Sequence, residues 1–237
     1  MGYRGHDGWT DMSDYVVHFT RDESARGGGY DPWIGILRDG ELRPGPSPFG
    51  AAKNIEELLE HNRCVCFSEI PLDMLDRLVS RRSEYGIGFH KDYIVRKGGA
   101  PLWYLDRAGP QAQHIGDEIQ RRIDDGIDLD DPFWKITPFV DRPGFYGSSS
   151  YRFEWEREWR VIGQLVFEPS DVAFLFLPEG EHEKALQFFV DARIEHTGPD
   201  YLVPYIDAGW DMPKIQDALK NLPEPPEPSP GVTPWFL

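Results

Sequence analysis

The stretch FEWEREWRVIG, residues 153–163, is the part of the sequence that decides most about the fold. It lies in a longer segment, 151–167, that is aromatic and β-branched and contains no proline, which favours a β-strand. Side chains alternate between the two faces of a strand, so every second residue is expected on the same face. The residues on one face would be Glu154, Glu156, Glu158 and Arg160.

Several carboxylates along one strand face repel each other, so something must compensate for their charge. One interpretation is that the face lines a cleft where a positive charge develops during a reaction. The other is an exposed, solvated face with an ion pair to Arg160. The sequence pattern leaves both open.

The composition indicates a folded protein rather than a disordered chain. The chain has 237 residues, of which 40% are hydrophobic and 14% aromatic. Lys and Arg number 25 against 41 Asp and Glu, which gives a formal net charge of −16. Such a charge disfavours a broad nucleic-acid footprint, although a single strand could still enter a local pocket.

The termini and the two cysteines favour a cytoplasmic protein. Residues 1–14 are expected to form a loose polar arm without the apolar run of a signal peptide. The sequence contains no run of about 18 apolar residues, so no membrane-spanning helix is predicted. Cys64 and Cys66, two residues apart on a predicted strand, are expected to be half-buried thiols, and no metal site is predicted.

Helical and strand patterns alternate along the chain without a regular βαβ rhythm, which predicts an α+β fold with a mixed or antiparallel sheet. One domain is expected at 15–220, followed by a Pro/Glu-rich tail at 221–237 that is extended or disordered. Besides 151–167, the predicted strands are 15–20, 63–69, 85–89, 92–95, 101–105 and 172–178. The predicted helices are one that Gly40 ends, 53–61, 71–81, 110–126 and 183–193.

Two further groups of residues are candidates for a binding site. His18 and Thr20 leave the same face of the first predicted strand, although a histidine there is also typical of a hydrogen-bonded core residue. Ser68 and Glu69 end another strand, where side chains often contact ligands. They could equally cap the helix that begins near Pro71.

The segment YGIGF, residues 85–89, has two glycines within a predicted strand, which marks a bulge or a close backbone approach. Tyr85 and Phe89 could stack on a planar ligand or could simply pack in the core. The segment lacks the third glycine of a dinucleotide-binding turn, so a Rossmann fold is not predicted.

Taken in order, HFT (18–20), ILRDGEL (36–42), CFSEIPL (66–72), YGIGF (85–89), GGAPLWY (98–104) and EREWRVIG (156–163) resemble the AbiGi-type abortive-infection proteins. The first two are also distantly similar to the DarT group of toxins. The resemblance covers about residues 15–177 and implies the ADP-ribosyltransferase superfamily. Its fold is a split β-sandwich, here with peripheral helices, that binds NAD⁺ in a cleft.

The resemblance also implies roles for individual residues. Glu158 would be the catalytic carboxylate and Glu156 the first acid of the pair, with their order left open. Tyr85 or Phe89 would stack on nicotinamide. The full set of implied NAD-binding residues is His18, Phe19, Thr20, Ser68, Glu69, Tyr85, Phe89 and Arg160.

The function implied is transfer of ADP-ribose from NAD to a protein or nucleic-acid acceptor, in phage defence or as a toxin. Arg157 and Arg160 would brace the acidic strand or meet the pyrophosphate, and the 22–32 loop would close over NAD⁺. One alternative is an inactive antitoxin or sensor that binds a basic toxin, with PWFL (234–237) as an anchor. Another is an NAD glycohydrolase.

Overall fold

A computed structural model describes residues 12–20, 29–69, 71–79 and 82–232 of the chain. Its α-helices are α1 (Tyr30–Asp39), α2 (Asp76–Val79), α3 (Lys91–Arg96), α4 (Pro110–Asp124), α5 (His182–Ile194) and α6 (Met212–Lys220). Within the described ranges, none of these helices has the length and apolar character needed to cross a bilayer.

The strands are short and are distributed along most of the described chain. In chain order they are β1 (Tyr15–Phe19), β2 (Glu41–Leu42), β3 (Cys64–Ser68), β4 (Gly86–His90), β5 (Ala100–Pro101), β6 (Trp103–Tyr104), β7 (Val140–Asp141), β8 (Gly144–Tyr146), β9 (Ser149–Tyr151), β10 (Glu158–Ile162), β11 (Leu165–Val166), β12 (Val172–Phe176) and β13 (Tyr205–Ile206).

The chain divides into two compact units. The first unit comprises Met1–Glu41, Glu69–Tyr93 and Val166–Leu237, and the second comprises Leu42–Ser68 and Ile94–Leu165. The expected domain bounds, 15–220, stay a prediction.

The first unit contains four paired strands in the order β13-β12-β4-β1. β4 is antiparallel to both β1 and β12, whereas β13 is parallel to β12. One side of these strands packs on α6 and the segment 72–79 through a core of buried apolar residues. That core consists of Val17, Phe19, Leu72, Leu75, Leu78, Phe174, Phe176, Ile206 and Ile215.

The second unit is built around β10, which pairs antiparallel with β3 on one side and with β5 on the other. Directly opposite residues across β10 and β3 include Glu158 with Ser68 and Arg160 with Cys66. A separate apolar cluster buries one face of α4 against the segment that follows β2. Its buried members are Ala52, Leu58, Ile119 and Trp134.

Most of the predicted elements are confirmed. The strands at 15–20, 63–69, 85–89 and 172–178 appear as β1, β3, β4 and β12, and the helices at 110–126 and 183–193 as α4 and α5. The stop signal at Gly40 is confirmed in detail, because Gly40 adopts a left-handed φ of 62° and its N–H donates to the Ile36 carbonyl. The mixture of helices with a mixed sheet agrees with the predicted class, and the ADP-ribosyltransferase-like sandwich stays a prediction.

Four predicted elements differ from the structure. The strand expected at 101–105 is divided between β5, which pairs with β10, and β6, which pairs with β7. Residues 92–95 belong to helix α3, which buries Tyr93 and Ile94, rather than to a strand. Residues 53–61 form turns around a short 3₁₀ helix, because Asn62 Nδ2 donates to the Ala52 carbonyl and holds the segment in a tighter path. Of the helix expected at 71–81, the described part, 71–79, is a 3₁₀ turn followed by the short α2.

The prediction of a single strand at 151–167 is wrong. The chain runs from β9 through a 3₁₀ turn at Glu154–Glu156 into β10, and then into β11. Arg157 adopts a left-handed φ of 46° and Gly163 a φ of 73°, and both conformations interrupt an extended strand. The acidic residues therefore do not form one row.

A glycine in β4 allows the close packing of the first unit. A Cβ at Gly88 would lie 2.3 Å from the ring of Phe174, which is fully buried. We predict that Gly88→Ala lowers the free energy of unfolding by about 1–3 kcal/mol, because the ring has little room to move. Gly116→Ala is the control, since its Cβ in helix α4 meets nothing within 4 Å. It should raise stability by up to about 1 kcal/mol. Equal effects of the two variants in urea denaturation would contradict this packing.

Candidate functional site

Strand β10 and its neighbour β3 carry a polar site in the second unit. Glu158 and Arg160 leave the same face of β10, and their partners across the ladder, Ser68 and Cys66, share that face. The structure therefore brings together three of the residues implied at the site: Ser68, Glu158 and Arg160. Ser68 is buried, and the Glu158 side chain retains 14% of its exposure.

The guanidinium of Arg160 is at the centre of this site and is only 2% exposed. Its Nε donates to Glu158 Oε1 at 2.8 Å, and its Nη1 donates to the Pro138 carbonyl. Nη2 lies 4.0 Å from Asp141 Oδ2, and the ring of Phe49 lies 4.5 Å from the guanidinium carbon. Burial acts to lower the pKa of Arg160, but the charge of Glu158 and its hydrogen bond raise that pKa above its ordinary value.

Two tyrosines extend the network from Arg160 to other segments. The hydroxyl of Tyr151 donates to Asp141 Oδ2 at 2.6 Å, and the hydroxyl of Tyr104 accepts the backbone N–H of Glu158 at 2.9 Å. Burial raises the pKa of both hydroxyls, and Asp141 adds to the rise at Tyr151. Both tyrosines therefore stay protonated at neutral pH. We use the name arginine network for Arg160, Glu158, Asp141, Tyr151 and Tyr104.

The two cysteines on β3 are thiols, as the sequence predicts. Burial raises the pKa of Cys64 to about 12. Burial also raises the pKa of Cys66, where the nearby charge of Glu158 and a hydrogen bond to it add to the effect. Because the thiolate is the reactive form, a raised pKa disfavours both cysteines as nucleophiles at neutral pH.

The expected row of carboxylates is not present, which corrects the sequence interpretation. Glu156 lies in the 3₁₀ turn before β10 and is 3% exposed, while the left-handed Arg157 separates it from Glu158. Of the residues expected on that face, Glu158 and Arg160 remain together. The ion pair to Arg160 that the sequence left as an alternative is present at Glu158.

The other implied NAD-binding residues lie in the first unit, on or beside β1 and β4. His18 is half-buried and pairs with Ile87, while Phe19 packs edge-on against Phe176 in the core. Thr20 is 2% exposed, and its hydroxyl donates to the Gly29 carbonyl and also bonds the Ser83 hydroxyl. Thr20 is therefore held in a structural network.

Glu69 and the two aromatic residues of YGIGF also have partners in the first unit. Glu69 forms a buried ion pair with Lys91 Nζ at 2.6 Å. The Tyr85 hydroxyl donates to Glu181 Oε2 at 2.9 Å, and burial raises the pKa of Tyr85. Phe89 has no exposed surface and stacks on Tyr93 with an angle of 14° between the ring planes. The 22–28 part of the expected mobile loop and PWFL lie outside the described residues, and Tyr30–Pro32 begin helix α1.

The hairpin that β8 and β9 form carries an exposed aromatic surface, which was not predicted from the sequence. We define the aromatic surface as Phe145, Tyr146, Tyr151 and Phe153. Phe145 is 64% exposed and Tyr146 is 45% exposed. The rings of Tyr146, Tyr151 and Phe153 contact each other in turn, with centroid distances of 6.3 Å from Tyr146 to Tyr151 and 5.0 Å from Tyr151 to Phe153. Phe145 leaves the opposite face of the hairpin, because neighbouring residues of a strand alternate between its two faces.

Two arginines flank these rings. Arg107 lies 4.1 Å from the ring centroid of Tyr146 and donates to the Phe145 carbonyl, and Arg152 lies 5.6 Å from the ring centroid of Phe145. The signal in the sequence was FYGSSSYRF, residues 145–153, where aromatic residues flank a Gly/Ser turn. Tyr151 belongs to both the arginine network and the aromatic surface, so its hydrogen bond to Asp141 connects the two.

Among the residues that the structure describes, no group of three or more His, Cys, Asp or Glu side chains is placed to hold a metal ion. The arginine network offers hydrogen bonds and fixed charge, and the side chains of its two carboxylates, Glu158 and Asp141, are 14% and 15% exposed.

Comparison with known proteins gives one match. Residues 47–172, just over half of the chain, match the family model described as "Putative abortive phage resistance protein AbiGi, antitoxin". This range includes the arginine network and the aromatic surface. No curated protein and no solved structure matches the chain.

The buried ion pair should be strongly coupled. We predict that Arg160→Met lowers the free energy of unfolding by about 3–5 kcal/mol, because it removes the cation and leaves Glu158 and Asp141 without it. The double variant Glu158→Gln/Arg160→Met should recover part of this loss, with a coupling of about 1–3 kcal/mol. Urea denaturation of the two single variants and the double variant measures the coupling.

Arg63→Met is the control, because Arg63 forms an exposed pair with Glu60 at 3.1 Å in the same unit. Its loss should cost less than about 1 kcal/mol. Strictly additive effects of the Glu158 and Arg160 substitutions would contradict the coupling.

Proposed function

The chain belongs to the AbiGi family, and we propose that it acts as the antitoxin of an abortive phage resistance system by binding a basic partner protein. Family membership supports a role in abortive phage resistance. The observation that favours a binding role over catalytic turnover is the 2.8 Å pair between Glu158 and Arg160. It gives the implied catalytic carboxylate a structural partner.

The chemistry of ADP-ribose transfer explains why this pair matters. Cleavage of the bond between nicotinamide and ribose develops positive charge on the sugar, and a carboxylate accelerates it by stabilising that charge. A guanidinium in contact with the same carboxylate already satisfies much of its charge. The arrangement at Glu158 therefore favours a role in holding β10 over a role in turnover.

The aromatic surface supports binding of a protein partner. Interfaces are enriched in Tyr, Trp, Phe and Arg, and a few such residues supply most of the binding energy. Phe145 and Tyr146 are exposed, flanked by Arg107 and Arg152, and lie within the family-matched residues. Their rings offer large rigid areas at a low cost in side-chain entropy.

The net charge of −16 supports a basic partner. A protein with this charge attracts cationic proteins over several ångströms and repels acidic ones, which raises the rate of association with the former. The partner proposed is therefore a toxin that is basic overall and that meets the aromatic surface through apolar or acidic groups, because Arg107 and Arg152 flank that surface.

A second candidate function is cleavage of NAD, with transfer of ADP-ribose to a macromolecule or to water. It is favoured by the 14% exposure of the Glu158 side chain and by the position of Ser68 directly opposite on β3. In that case Glu158 would stabilise the sugar cation, nicotinamide would leave as a neutral molecule, and NAD would be a substrate.

Growth rescue distinguishes the two functions. The toxin of the same abortive-infection system is expressed alone and together with this chain. We predict that the chain restores growth and that Phe145→Ser weakens binding to the purified toxin at least about tenfold, because an exposed interface ring is lost. Phe188→Ser is the matched control, since Phe188 is 49% exposed on α5 in the first unit, and it should keep full rescue.

Glu158→Gln serves as the test of chemistry, because its amide oxygen can still accept from Arg160. Under the antitoxin proposal it keeps rescue, and neither protein releases nicotinamide from labelled NAD. If the wild type releases nicotinamide and a folded Glu158→Gln variant loses both release and rescue, the second function is correct. Full rescue by Phe145→Ser would show that the aromatic surface is not the contact.

A further inference from the structure

A second feature of the family-matched part of the chain is a cavity of about 420 Å³. All its lining residues lie in the second unit. They are His61, Lys97, Gly98, Leu129, Trp134, Lys135, Phe139 and Ile162. This volume is within the range of small-molecule sites, which is about 300–1,000 Å³.

The charge of the lining is opposite to that of the chain. Among the described residues that line the cavity are two cations, Lys97 and Lys135, together with the imidazole of His61, and none of them is Asp or Glu, although acidic residues outnumber Lys and Arg by 41 to 25 overall. All three side chains are exposed at the rim. Cationic groups around a concave apolar surface concentrate anions there, even where the distant field is negative.

The remaining lining residues supply an apolar, partly aromatic floor. Trp134 is 2% exposed, and its Nε1 donates to the Asp128 carbonyl at 2.9 Å, so the ring is held in place. Phe139 and Ile162 are half-buried beside it. The ring of Trp134 is covered by its own apolar cluster, so the half-buried side chains of Phe139 and Ile162 are the surface that a flat apolar group would contact and remove from water.

The segments that hold the cationic groups are ordered by local hydrogen bonds. Lys135 ends a 3₁₀ helix, Pro132–Lys135, whose N-terminus is capped by Asp131, and Asp131 also pairs with Arg122 at 2.6 Å. Lys97 precedes Gly98, which has a φ of 82°, and a Cβ there would meet nothing within 4 Å. The rim beside Lys97 is therefore open.

We propose that this cavity binds a small organic phosphate with a planar ring, the chemistry of a nucleoside monophosphate. The phosphate lies between Lys97, Lys135 and His61, and the planar ring lies on the floor that Phe139 and Ile162 form. The site is independent of the antitoxin role, because it uses neither the arginine network nor the aromatic surface.

Isothermal titration calorimetry of the full chain at low salt tests the proposal with adenosine monophosphate as the probe. Saturable binding is expected, and adenosine or inorganic phosphate alone should bind at least about tenfold more weakly, since each supplies half of the contacts. Lys97→Ala/Lys135→Ala and, separately, Lys135→Glu should each weaken binding at least about tenfold. Lys184→Ala, which alters an exposed lysine on α5, should leave it unchanged.

Two results would overturn the proposal. One is the absence of saturable binding by the wild type at up to about 5 mM adenosine monophosphate, which is weaker than any specific site of this size is expected to be. The other is equal affinity of the wild type and the folded Lys135→Glu variant.

Discussion

A guanidinium that keeps its charge while almost fully buried places the strongest constraint on the second unit. Arg160 cannot be neutralised, so its burial requires acceptors in fixed positions. Glu158 and the Pro138 carbonyl supply direct hydrogen bonds, and Phe49 covers the guanidinium. These groups come from β10 and from segments distant in sequence, so one side chain joins much of this unit.

The same constraint links the buried site to the surface. Asp141 is near Arg160 and accepts the hydroxyl of Tyr151, and Tyr151 is both the end of β9 and part of the aromatic surface. The hydrogen bond from Tyr151 to Asp141 connects the β8–β9 hairpin, which carries the exposed rings of Phe145 and Tyr146, to the arginine network. Under the proposed antitoxin role, Glu158, which the family resemblance marks as catalytic, holds Arg160 in the network that supports the aromatic surface.

Sequence patterns predicted the elements that local chemistry determines. The β-branched and aromatic run at 15–20 identified β1, the alternation in 63–69 identified β3, and the glycine at position 40 identified the end of α1. The pattern failed at Arg157, because a left-handed φ at a non-glycine residue is imposed by packing on either side and has no local signature. It also could not show that Phe145 is exposed while Phe89 is fully buried, since both follow glycine in aromatic segments.

Hydrogen exchange in the Arg160→Lys variant measures whether the aromatic surface depends on Arg160. Lysine keeps the positive charge but lacks the planar fork that bonds Glu158 and Pro138 together. We predict that backbone amides of the β8–β9 hairpin exchange at least about tenfold faster, whereas those of β12 in the first unit do not change. Unchanged exchange in the hairpin of a folded Arg160→Lys variant would show that the aromatic surface does not depend on Arg160.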